Sequence, residues 1–318
     1  MTQSLRELEF SDIYLGREAS WLAGVPGKLD PVRSPSECQP ELVELRTQCE
    51  RYAEGSKKEE FTVRAGEVTY RVSVLRSLTE TVYVLRRFPS QVPEFSSLGI
   101  HAGYLRRLMG PHLTGLVVIA GAYGQGKTTT ASSLIAARLA QFGGVAITIE
   151  DPPEMPLEGR HGEGVCYQTW AEQHGFGQAC RQAARWAPSI IFLGEVRDAE
   201  TAAEALRASI NGRLVVCTTH ADSVALAVER LYALANGAAG SSEDVASLLA
   251  AGLLAVLHQK LEGDAKGQRR PKVSFLWLGE EAAKGMRNTI RQRRFDQLEN
   301  EVMLQLNRLL LGGGARSA

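Results

Sequence analysis

Residues 61–88, FTVRAGEVTYRVSVLRSLTETVYVLRRF, alternate apolar with polar side chains and are rich in Val, Tyr, Thr and Phe. Period-two alternation gives each strand one apolar face. Interruptions at Ala65-Gly66 and near Ser77-Leu78 divide the run into a small antiparallel meander. Ahead of it, PELVELRTQCERYA places Pro40 in a first-turn position and spaces Leu42, Val43, Leu45 and Cys49 to suit an amphipathic helix packed on that meander. A helix on a meander is a compact α+β unit.

The pattern changes after PSQVPEFSSLG (89–99), whose prolines, serines and glycine read as a break between domains. Beyond it, short apolar runs alternate with helical stretches. GLVVIAG (115–121), GVAITIE (144–150), SIIFLGE (189–195) and RLVVCTTH (213–220) are expected strands, with TTTASSLIAARLAQF, AETAAEALRAS and ALAVERLYALA as helices. Strands apolar on both faces and separated by helices imply a mainly parallel sheet covered on both sides. Ligands of such sheets sit at the carboxyl ends of the strands. KVSFLWLG (272–279) predicts one more strand and RRFDQLENEVMLQLNRLLL, from Arg293, a closing helix. The expected limits are a small α+β domain over 1–90, a linker over 91–111, and an α/β domain over 112–318 with a helical C-terminal part.

Composition narrows the function classes. Lys plus Arg and Asp plus Glu are both 36, so no net field draws the chain toward nucleic acid or an anionic membrane. The five cysteines are odd in number and form no C-x-x-C pair, which favours reduced, buried thiols over disulfides or a zinc site. MTQSLRELEF lacks an apolar signal core, and the apolar run Val245 to Leu257 is too short and too rich in Ala and Gly to span a bilayer. The expectation is a cytoplasmic protein with at most peripheral membrane contact.

GAYGQGKT, Gly121 to Thr128, fits G-x-x-x-x-G-K-S/T directly after a strand and before a helix. A chance match in a chain of this length is on the order of 1%. Glycines let the backbone N–H groups and the helix N-terminus face phosphate. Gly121, Gly124, Gln125, Gly126, Lys127, Thr128 and Thr129 are therefore the candidate ATP site, with Lys127 on the β- and γ-phosphates and Thr128 on Mg²⁺. Glu195 ends a second core strand where such ATPases carry the acid that holds Mg²⁺ or its waters. As an isolated residue it would be an ordinary strand-end acid; a sheet that also carries a P-loop reverses that preference. Glu150 ends another strand at the same edge, placed to orient or deprotonate water facing the γ-phosphate. Asp151 suits a brace for the turn stiffened by Pro152 and Pro153. His220 ends a third strand; a lone histidine is more often structural, but its position suggests a γ-phosphate sensor.

These motifs resemble the secretion and type IV pilus ATPases (type II/IV secretion), hexameric motors that include pilus-retraction (PilT-type), pilus-extension, type II secretion and conjugative enzymes. The marks are the P-loop GAYGQGKTTT, the acidic box TIEDPPE, the segment IIFLGEVRDAETAAEALRAS and the histidine box TTHADS, in family order. The resemblance implies a RecA-like P-loop ATPase core preceded by a small α+β, PAS-like domain. It implies Glu150 as the water-activating acid, Glu195 as the Walker B glutamate and His220 as the histidine-box residue. YRVSV and VLRRFP resemble the strands that carry phosphate-facing arginines, which makes Arg71 and Arg86 the candidates, with Arg87 one residue off.

GMRNTIRQRRF resembles the retraction signature AIRNLIRE, keeping Arg287, Asn288, Ile290 and Arg291. Extension and type II enzymes usually carry a four-cysteine module and a longer N-terminal region, and the expectation from these 318 residues is a chain with neither. Pro153 stands where Ile is usual, and HAGYLRRLMGPHLTG and EMPLEGRHGEGVCYQ diverge. The resemblance thus implies a homohexameric Mg²⁺-dependent motor acting on an inner-membrane platform protein in pilus retraction. A motor of a conjugation-linked, accessory pilus or secretion system competes with it. A nucleic-acid translocase on the same core is third, and no aromatic stacking platform or basic channel supports stable nucleic-acid binding. Lys266, Arg269, Arg270, Lys272, Lys284, Arg287, Arg291, Arg293 and Arg294 form a basic stretch that suits either a solvated face or a contact for an acidic loop or the membrane surface.

Overall fold

Alternation and continuous apolar runs build two different sheets, one in each of the two compact units formed by residues 1–91 with 154–156, and by residues 92–153 with 157–318. A computed structural model describes residues 4–56, 59–66, 68–171, 175–238, 244–263, 269–279 and 283–313. Lys266 of the basic stretch lies outside the described residues.

The first unit contains β1 (Asp12–Leu15), β2 (Ser20–Ala23), β3 (Val32–Arg33), α1 (Gln39–Ser56), β4 (Glu60–Ala65), β5 (Val68–Arg76) and β6 (Thr81–Arg87). They form a six-stranded sheet in the order β3-β2-β1-β6-β5-β4, antiparallel throughout. The meander is β4-β5-β6, and its second turn is closed by the Ser77 N–H donating to the Glu80 carbonyl at 2.9 Å. Alternation decides the core: Phe61, Val63, Tyr70, Val72 and Leu85 pack with Leu42, Leu45 and Cys49 of α1, while the intervening residues face away. The expected meander and helix are present; the strands from 12 to 33 extend the sheet past them.

The second unit holds α2 (Ala102–Leu108), β7 (Gly115–Ala120), α3 (Lys127–Phe142), β8 (Gly144–Glu150), β9 (Gly159–His161), β10 (Gly164–Trp170), α4 (Phe176–Arg185), β11 (Ile190–Leu193), α5 (Ala199–Ser209), β12 (Leu214–Thr219), α6 (Val224–Ala238), α7 (Val245–Gly252), β13 (Leu253–Gly263), β14 (Arg269–Trp277), α8 (Lys284–Arg291) and α9 (Leu298–Gly313). The sheet order is β14-β13-β7-β12-β11-β8-β10-β9. Pairs from β13 through β10 are parallel, and only the outer hairpins β13-β14 and β9-β10 are antiparallel. On β7, Leu116, Val118 and Ala120 enter one core cluster, and Val117 and Ile119 the other. Both faces are covered, as the unbroken apolar runs require.

Several expectations are adjusted by packing. The stretch 91–111, expected as a linker, contributes Phe95, Ile100, Tyr104 and Leu108 to the core of the second unit. Its anchor is Arg138 of α3, 6% exposed, whose Nη1 donates to the carbonyls of Leu108 (2.6 Å) and Gly110 (3.0 Å). The prolines and serines there terminate elements without freeing the chain. The run Val245 to Leu257 splits at Gly252 into the end of α7 and the start of β13, a boundary that continuous apolarity conceals. The closing helix starts at Leu298, not Arg293, because Arg293 takes a positive φ of 59° and Phe295–Gln297 form a 3-10 turn.

Arg287 also leaves the basic stretch: its guanidinium donates to the carbonyls of Ala250, of Ala251 at 3.1 Å and of Leu278 at 3.0 Å, bracing α7 against α8. Burial, and then the neighbouring Arg291, lower its pKa. The five cysteines are buried thiols, and burial pushes those of Cys49, Cys166, Cys180 and Cys217 up to about 12. They serve as small apolar side chains. No helix among the described residues is long and apolar enough to cross a membrane.

Candidate nucleotide site

The parallel register sets the site. Ala120 pairs with Thr219, Cys217 with Leu193, and Leu193 with Ile149. One to two residues past these pairs stand Gly121, His220, Glu195 and Glu150, on four adjacent strands in the order β7, β12, β11, β8. The candidate residues of the second unit therefore gather at one sheet edge, the carboxyl end.

The P-loop leaves β7 through Gly121 and enters α3 at Gly126. Gly121, Gly124 and Gly126 have φ of 154°, 70° and 75°, values in the region that favours glycine. A Cβ on Gly121 would stand 2.4 Å from the Gln259 carbonyl oxygen. The Lys127 side chain is 8% exposed and folds back over the loop, Nζ donating to the Ala122 carbonyl at 2.9 Å. An ammonium curled over a glycine-rich loop at a helix N-terminus is poised for an anion. Thr128 and Thr129 follow in the first turn of α3.

Two glutamines clamp this loop. Gln259 of β13, 1% exposed, donates Nε2 to the Gln125 carbonyl at 2.5 Å, and the Leu261 N–H donates to Gln125 Oε1 at 2.6 Å. Gln125 is thus held by both backbone and side chain. Sequence reasoning missed Gln259; its signal was a lone amide inside the apolar run LLAVLHQKL. Tyr123, 73% exposed, lies parallel to the His220 ring with centroids 6.5 Å apart. That contact joins the P-loop to the end of β12.

His220 Nε2 stands 3.3 Å from Glu195 Oε1. Glu195 is fixed by its neighbours: Thr218 Oγ1 donates to the Gly194 carbonyl at 2.5 Å, and the Val196 N–H to the Thr218 carbonyl at 2.8 Å. Glu150 is different, with only 2% of its surface exposed. Gln168 Nε2 donates to its Oε1 at 3.0 Å. Gly194 lies against it, and a Cβ there would stand 3.2 Å from Glu150 Cγ. Asp151 accepts from Trp170 Nε1 at 2.9 Å and pairs with Arg197 at 3.2 Å, bracing a turn whose Asp151-Pro152 peptide is cis.

Within the first unit, Arg71 and Arg86 are direct cross-strand partners and so share a face of the sheet. Arg71 pairs with Glu60 at 2.7 Å and Arg86 with Asp12 at 2.8 Å. Arg87 points to the opposite face, donating to the carbonyls of Leu8 (2.8 Å) and Arg6 (3.1 Å) and covering the Phe10 ring. It secures the N-terminal segment and drops out as an alternative.

Comparison with known proteins gives the family and the fold. The family described as type II/IV secretion system protein matches residues 52–301. The twitching motility protein of Neisseria gonorrhoeae is 30% identical over 233 residues, 73% of this chain and 60% of that one. The type IV pilus retractation ATPase PilT of Pseudomonas aeruginosa is 31% identical over 241 residues, 74% of this chain and 67% of that one. The chain spans 60–67% of the length of these two relatives. The crystal structure of the pilus retraction motor PilT with bound ADP superposes with a TM-score of 0.75 at 26% identity, covering 94% of this chain and 87% of that one. With its four motifs gathered at one edge of a mainly parallel sheet, the chain belongs to the type II/IV secretion system protein family.

Proposed function

We propose that this chain is an ATP-hydrolysing motor. The observation that carries the reading is the meeting of the P-loop, Glu150, Glu195 and His220 at four adjacent strand ends. The P-loop amides and Lys127 hold the phosphates of ATP. The Thr128 hydroxyl and the Glu195 carboxylate are oxygen donors of the kind Mg²⁺ prefers, and they are the residues that would hold it. When bound there, the ion neutralises charge on the β- and γ-phosphate oxygens.

Glu150 accepts a proton from the attacking water. Its burial shields the carboxylate from bulk solvent, and the bond from Gln168 Nε2 holds its plane. His220, tied to Glu195 and stacked on Tyr123, senses whether the γ-phosphate is present. Arg71 and Arg86 neutralise charge that develops on the phosphates, a reading supported by the resemblance of their strands and by their pairing. Their replacement by Ala lowers kcat more than it raises the KM for ATP.

At the level of the cell, we assign the chain to pilus retraction as a homohexamer acting on an inner-membrane platform protein, associated with that membrane only peripherally. The PilT likeness and the residues Arg287, Asn288, Ile290 and Arg291 of the retraction signature support it. The second reading, a motor for assembly or export, is supported by relatives such as the type II secretion system protein E of Klebsiella pneumoniae, 34% identical over 61% of this chain. Deleting the gene and counting pili separates them, since loss of retraction leaves excess pili and loss of assembly leaves none. Purified protein given ATP and Mg²⁺ tests the activity itself; a chain that binds ATP without releasing phosphate is a nucleotide sensor.

A further inference from the structure

Gln168 belongs to EMPLEGRHGEGVCYQ, the segment whose sequence diverges from the resemblance. The fold turns that segment into the β9-β10 hairpin and lays β10 parallel to β8, with Gln168 opposite Thr148 and Trp170 opposite Glu150. The Gln168 side chain then makes three bonds. Its Oε1 accepts from the backbone N–H of Leu157 at 2.9 Å and of Glu158 at 2.8 Å, while its Nε2 donates to Glu150 Oε1 at 3.0 Å. Backbone N–H groups can only donate, so they fix which end of the amide is oxygen. The NH₂ end is thereby held toward Glu150.

We propose that Gln168 is a positioning residue for hydrolysis: it fixes the plane of the Glu150 carboxylate by tying it to the backbone at 157–158. The inference rests on Glu150 being the base. Other titratable groups close by are Cys166 and Glu158 from the β10 side, Asp151 with its partner Arg197, and Glu195 with His220 after β11.

The test is Gln168→Glu, which keeps an oxygen for the 157–158 amides and replaces the donor by a second carboxylate. At neutral pH, kcat is expected to fall by about tenfold or more, but by no more than the about 10²–10⁴-fold attributed to a whole general base. The acid limb of the kcat profile moves to higher pH because a like charge disfavours ionisation, and the KM for ATP stays within about twofold. Gln168→Met, which adds no charge, lowers kcat with the same KM and leaves the acid limb nearer wild type. In a Glu150→Gln background, Gln168→Glu costs nothing further.

Three results would overturn the proposal: kcat and acid limb unchanged in Gln168→Glu, equal losses in both backgrounds, or both Gln168 variants unfolded so that the residue serves the loop alone. If instead Glu150→Gln by itself hydrolyses ATP at the wild-type rate, the assignment of the base fails first.

Discussion

Glu150 ends β8 with 2% of its surface exposed and an amide on its carboxylate, whereas Glu195, after the neighbouring β11, has a side chain 32% exposed beside an imidazole. The residue type and the sheet edge are the same, so surroundings make the difference. A carboxylate shielded from bulk solvent and held by a neutral amide suits proton transfer to one positioned water. One that keeps access to solvent and a loosely held partner suits a hydrated cation. Two strand-end acids in unlike settings are a recurrent way of dividing roles.

The largest test of that division is Glu150→Gln. It keeps the bulk of the side chain and removes the base, so kcat is expected to fall by about 10²–10⁴-fold, while an equilibrium titration with ATP finds nearly unchanged affinity. Glu195→Gln should behave otherwise. Turnover then requires more Mg²⁺, and kcat/KM at limiting Mg²⁺ falls by roughly tenfold to a hundredfold, equivalent to about 1.4–2.7 kcal/mol. A Mg²⁺ titration of phosphate release distinguishes the two variants, and identical curves would erase the contrast.

Smaller effects should follow from the clamps around each acid. Gln259→Leu removes the Nε2 bond to the Gln125 carbonyl, and a lost hydrogen bond of about 1 kcal/mol predicts about a fivefold weaker affinity for ATP with kcat little changed. Tyr123→Ala frees the His220 ring and is expected to change hydrolysis about twofold to tenfold, since stacked pairs contribute about 0.5–1.5 kcal/mol. Fluorescent-nucleotide binding and steady-state kinetics measure both.

The smallest effect concerns pH and stability. Burial lowers the pKa of His258 on β13, opposed in part by Glu299 and Asp222. A lowered histidine stabilises the fold above its unfolded value of about 6.5, and that contribution disappears as pH falls through the lower folded value. Thermal melts between neutral and mildly acidic pH should therefore decline more steeply for wild type than for His258→Gln.

The four motif strands and the P-loop were legible because they rest on local facts. GLVVIAG, GVAITIE, SIIFLGE and RLVVCTTH carry unbroken apolar runs, and glycine and lysine spacing defines a phosphate loop before any fold exists. β9 and β10 escaped notice because GRHGEGVCYQTW has no long apolar run; its strands take their place from pairing with β8. The 91–111 stretch was misjudged for the opposite reason, since its breakers are local while Phe95, Ile100, Tyr104 and Leu108 are held by distant residues.

Sequence alone determined the mainly parallel sheet, the phosphate loop and the carboxylates at strand ends, because strand burial and backbone freedom follow from residue type and spacing. The tertiary structure decided what each carboxylate is next to. Gln168 and Gln259 lie 18 and 134 residues from the groups they hold, and a bond across such a span is set by register between strands, which no local pattern encodes.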